Sequence, residues 1–153
     1  MLKRKDNKME IIFQNRKYTE EEIEEKYKKG IISLDEYDEL VGDTLSTMIM
    51  TKVKNEFNDY KKKLLELPKE LIIDKSYETA VKQEFIDELE YKDLYIDEKK
   101  ALINRDNLLD EFYNDWLDTD AGLYEAIDNS FEETITYLTR YYMDQKKQKD
   151  LDK

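Results

Sequence analysis

The 153-residue chain has no cysteine, no histidine, one proline and three glycines. Without cysteine there is no disulfide, no thiolate nucleophile and no sulfur-ligated zinc or iron–sulfur site. Without histidine the commonest general base and the commonest ligand of catalytic zinc are gone. Carboxylates, lysine, tyrosine and hydroxyls remain for any chemistry. No apolar run approaches the ~20 residues that cross a bilayer. The basic start Met1-Leu-Lys-Arg-Lys leads into no hydrophobic segment of the secretory kind, so a cytoplasmic protein without membrane contact is expected. Gly30, Gly42 and Gly122 are too dispersed to form a phosphate-cradling loop.

What is abundant is charge, chiefly negative. The formal net charge is −12 and 42% of residues are charged, values found in disordered chains as well. Aromatics at 12%, twelve of them tyrosines, together with periodically placed apolar residues, argue instead for a folded domain. From Asp106 to Thr139 the chain carries ten acids and no lysine or arginine. Elsewhere the two signs are mixed.

The apolar spacing predicts an all-α protein, a bundle of about four to six helices, with a small N-terminal appendage over 1–44. Glu10–Tyr18 reads as one short strand, rich in Ile and Phe. Thr19 with Glu22, and Ser33 with Glu36, have capping-box spacing and open two short helices, closed by Gly30 and Gly42 respectively. Leu45, Ile49, Val53, Phe57, Tyr60, Leu64 and Leu67 then mark one long helix, and 45–145 is expected to form the bundle. Pro68 ends that helix or opens the next. Ile73, Tyr77, Ala80, Val81, Phe85 and Leu89 mark a second stripe, and Leu94–Ile103 a shorter helix. After a turn at 104–107, Leu108, Leu109, Phe112, Tyr113 and Trp116 share a face. A break at 118–122 precedes a last helix with Leu123, Ile127, Phe131, Ile135 (or Thr134), Leu138 and Tyr142 facing inward. A polar tail over 146–153 is expected to fray.

Residues 50–135, through LPKELIIDKSYETAVKQEFIDELE at 67–90 and KKALINRDNLLDEFYNDWLD at 99–118, resemble a domain family of unknown function. That family occurs in Firmicutes, especially Clostridia, and in their phages and mobile elements. The resemblance rests on Leu67-Pro68, Glu84–Asp87, Ala101-Leu102 and the Tyr113/Trp116 spacing. It implies a phage or mobile-element origin and brings no functional residues with it.

The one-signed stretch points to binding rather than catalysis. Glu125, Asp128 and Glu132 lie three and four apart and so share a helical face, neighbours being roughly 5–6 Å apart. Asp110, Glu111, Asp115, Asp118 and Asp120 precede them. Two such rows side by side would offer a basic, nucleic-acid-handling host protein the field it meets on DNA. The expected function is therefore that of an acidic, DNA-mimic-like inhibitor of an anti-CRISPR or anti-restriction kind. It would bind no nucleic acid directly and need no cofactor. One alternative is an adaptor working through apolar helix contacts, or a homodimer through the Leu45–Leu67 helix. Another is a carboxylate-based enzyme using a divalent metal. Asp118 and Asp120 begin like a calcium loop, but Gly122 falls one place early and Asn129 stands where a bidentate Glu is needed, so no metal site is assigned.

Overall fold

The structure, a computed structural model, describes residues 8–119 and 121–151. The described part is mostly helical, with a two-stranded sheet near the N-terminus. The chain divides into two units, Met1–Tyr113 and Asn114–Lys153.

The first unit opens with a hairpin. Strand β1 (Ile11–Phe13) pairs antiparallel with β2 (Arg16–Tyr18), Ile11 opposite Tyr18 and Phe13 opposite Arg16. The single expected strand is thus folded back on itself. Gln14 and Asn15 form the two-residue turn, both with positive φ (48° and 62°), as a turn matching the twist of its strands requires. Asparagine tolerates that conformation, but no glycine advertises it.

Helix α1 (Glu20–Lys28) starts at the Thr19–Glu22 capping box. It ends where Gly30, at φ 71°, lets its own N–H reach the Tyr27 carbonyl and that of Ile31 reach Lys26. Helix α2 (Leu34–Leu65) starts at the Ser33–Glu36 box and runs for 32 residues. Gly42 does not stop it. The apolar stripe continues across this position through Val41, Leu45, Ile49, Val53 and Phe57, all buried, and tertiary packing outweighs the helix propensity of one residue. Position 44 therefore lies inside a helix, and the hairpin and α1 belong to the same unit as the helices after them.

Gly42 is buried in α2, with Lys99 Nζ donating to its carbonyl at 3.2 Å. Its φ is not positive. An added Cβ would meet Lys99 Nζ at 3.5 Å, an ordinary contact. Gly42→Ala is accordingly expected to raise stability by about 0.5–1 kcal/mol, read as a higher urea midpoint. A lowered midpoint would show that the α5 approach depends on the missing methyl.

Pro68 caps α3 (Lys69–Asp74), which is followed by α4 (Ser76–Tyr91), α5 (Ile96–Ile103) and α6 (Leu108–Asp118). The buried line of α4 runs through Lys82 and Ile86. Ile73, Tyr77 and Ala80, expected inside, are exposed. The helix is rotated so that a lysine, not an alanine, faces the core.

Two apolar clusters line α2. Ile11, Ile23, Ile32 and Ile103 gather around Val41, Leu45 and Ile49. Ile86, Leu108 and Leu109 gather around Val53 and Phe57. Of the stripe considered above for self-association, Leu45, Ile49, Val53 and Phe57 are buried in this packing.

The second unit contains α7 (Ala121–Leu151), which continues through most of the expected tail. Phe131, Ile135, Leu138 and Tyr142 are exposed rather than inward-facing, at 62, 46, 51 and 64%. The side chains of Leu123 and Ile127 lie outside the described residues.

Candidate binding surface

Lys82 is 1% exposed, the one buried charged residue among those described. Its ammonium contacts Asp110 Oδ1 at 2.6 Å and Glu78 Oε1 at 2.9 Å, and stands 4.1 Å from the centre of the Tyr60 ring. Lys75 reaches the other oxygen of Glu78 at 3.1 Å. The Tyr60 hydroxyl lies 3.0 Å from Thr79 Oγ1. These groups tie α2, α4 and α6 together around a cavity of about 390 Å³.

Burial disfavours the charged form of Lys82, but the hydrogen bonds to Asp110 and Glu78 override it and hold its pKa above the ordinary lysine value. An amine that attacks a carbonyl needs the opposite shift. With both carboxylates and a ring on its ammonium, this lysine works as a clamp.

Glu56 on α2 holds the start of α6. Its two carboxylate oxygens accept from the backbone N–H groups of Leu108 and Leu109, each at 2.9 Å. An anion at a helix N-terminus satisfies donors that have no partner within the helix and opposes the helix dipole. Asn107, at φ 52°, turns the chain into this position.

This packing divides the acidic stretch. Asp110 is engaged by Lys82, and Glu111 by Arg105 at 2.8 Å. Both lie in the first unit, each joined to a basic side chain from outside the 106–139 stretch. Asp115, Asp118, Glu125, Asp128 and Glu132 lie in the second unit, are exposed and have no ion pair among the described residues. Glu133 is the same. Asp120 lies outside the described residues. The eight candidate acids are therefore not one uniform set, since two are tied into the first unit. Glu125, Asp128 and Glu132 keep their three-and-four spacing along α7.

Sequence reasoning missed Lys82 and Glu56. The signal for Lys82 was its place in the run from Glu78 to Leu89, where a buried line through 82, 86 and 89 competes with the one through 77, 81 and 85. For Glu56 there was no local signal, because its partners lie 52 and 53 residues away.

Among the described residues no three or more acidic side chains are grouped to hold a metal ion, and no helix is long and apolar enough to cross a membrane. Compared with known families, curated proteins and solved structures, the chain matches none.

Proposed function

We propose that the protein is a non-enzymatic binding module whose acidic C-terminal helix docks on a basic protein surface. Its partner is a nucleic-acid-handling protein of the bacterial host cytoplasm, and its origin a phage or mobile element. The observation that carries this reading is α7 itself. Glu125, Asp128, Glu132 and Glu133 are exposed without an ion pair among the described residues, and exposed apolar side chains accompany them. A face kept only for solubility gains by interleaving lysines to form i,i+4 pairs, as α1 does with Glu24–Lys28 and Glu25–Lys29. The first half of α7 does not. Long-range attraction would bring the helix to a groove lined by Arg and Lys, and the apolar side chains would add close contact. By occupying that groove the protein would block or modulate its partner.

The test is capture of heparin-binding proteins from a bacterial lysate. Wild type is expected to retain a defined protein at ~0.1 M salt and to lose it toward ~1 M, where screening shortens from ~10 to ~3 Å. The quadruple variant Glu125→Lys, Asp128→Lys, Glu132→Lys and Glu133→Lys should retain none. Reversal of Asp35, Glu39, Glu84 and Glu90, which changes net charge equally, should leave capture intact. If both quadruple variants bind alike, the assignment to α7 is wrong.

The adaptor alternative, resting on apolar contacts, is favoured by the exposed stripe of the same helix. The metal-enzyme alternative has no observation in its favour.

A further inference from the structure

The part of the α7 stripe from Phe131 to Tyr142 has an internal symmetry. Phe131, Ile135, Leu138 and Tyr142 follow one another at steps of four, three and four, a pattern that reads the same in both directions about a midpoint between Thr136 and Tyr137. All four are exposed. Charge along the helix is also distributed by halves. Residues 121–136 carry four acids (Glu125, Asp128, Glu132, Glu133) and no base, whereas residues 137–151 carry four bases (Arg140, Lys146, Lys147, Lys149) and two acids.

We infer that α7 pairs antiparallel with α7 of a second copy of this chain. In that register Phe131 faces the partner's Tyr142 and Ile135 faces the partner's Leu138, so each large residue meets one of matching reach. The acidic half of each helix runs beside the basic half of the other, and the helix dipoles oppose. A parallel pair would set like charge against like over its whole length and align the dipoles. The stripe alone does not choose between orientations; the charge inversion does.

The pairing and the basic-partner reading draw on the same helix, but the pairing stands on the spacing of the stripe and the inversion of charge, whether or not a basic partner is bound. It does shape what a partner would meet. The twofold axis puts the Glu125–Asp128–Glu132 rows of both copies on the same side of the pair, toward opposite ends. Two acidic patches then face one way, about 24 Å apart along the helices at 1.5 Å per residue.

Sedimentation equilibrium of the full chain, at tens of micromolar, is expected to give twice the monomer mass. The double variant Ile135→Glu/Leu138→Glu should be monomeric, its dissociation constant raised by at least ~100-fold. Both replaced side chains are already exposed, so its circular dichroism should keep the helical signal. Orientation is read separately, and the absence of cysteine makes labelling clean. A spin label at Asp128→Cys should give a separation of about 27 Å across an antiparallel dimer, against about 10 Å across a parallel one. A monomeric wild type, a dimer indifferent to the double variant, or the short separation would each overturn the proposal. Retained salt-sensitive capture by the monomeric variant would show that the basic-partner reading survives alone.

Discussion

Lys82→Ala is expected to lower folding stability by about 3 kcal/mol, measured as a fall in urea midpoint at unchanged slope. Three things are lost together: two ion pairs, the contact with the Tyr60 ring, and the burial of the aliphatic stem. The Glu78 carboxylate, 16% exposed, would be left without its main counter-charge. The loss falls at the lower end of the range for breaking a buried pair because Asp110 is 63% exposed and water can take over there. Lys75 also remains beside Glu78. Lys82→Met keeps the stem and should cost less, about 1–2 kcal/mol.

The same variant has a signature in alkali. Lys82 binds its proton more tightly folded than unfolded, so its contribution is complete below the ordinary value of 10.5 and disappears as pH rises through the folded value. Burial raises Tyr37 and Tyr113 above 10.0 and acts in the same direction. Lys100, held by Glu20, adds to it. Wild type should therefore lose stability more steeply than Lys82→Met above about pH 10. Parallel profiles would show that folding leaves the proton affinity of Lys82 unchanged.

Glu56→Ala is the second large loss, about 2–3 kcal/mol. It removes the acceptors of two backbone donors at once, and the residues that own those donors, Leu108 and Leu109, are buried in the cluster around Phe57. Fraying there uncovers core. Glu56→Gln keeps one acceptor oxygen and should lose about half as much. Hydrogen exchange locates the effect: the amides of Leu108 and Leu109 should speed up before those of α4. Unchanged exchange at both would mean that water or Asn107 replaces the carboxylate.

Local chemistry made much of the fold legible. Two capping boxes, one glycine stop and the stripe from Leu45 to Leu64 all correspond to what those residues do. Their causes lie within a few residues of each other. The failures have non-local causes. Gly42 reads as a stop until α5 is seen to pack over it. Tyr77 reads as core until Lys82 is seen to occupy the inward position, a choice that depends on Asp110 28 residues later. The acidic stretch was visible as composition, but its division was not. Sequence cannot show that Lys82 and Arg105 fold back on Asp110 and Glu111. The stripe of α7 was equally visible, and only its exposure needed coordinates.

The length of α2 has a consequence for synthesis. This one rod supplies a wall to both apolar clusters; Ile11, Ile23 and Ile32 precede it, but the other covers arrive late: Ile86 from α4, Ile103 from α5, and Leu108 and Leu109 from α6. On a growing chain Val53 and Phe57 exist some fifty residues before Leu108 and Leu109 do. Over that interval the nascent polypeptide carries a greasy ridge that Ile86 alone of its buried partners can begin to cover, the kind of surface that chaperones hold and that aggregates when they are scarce.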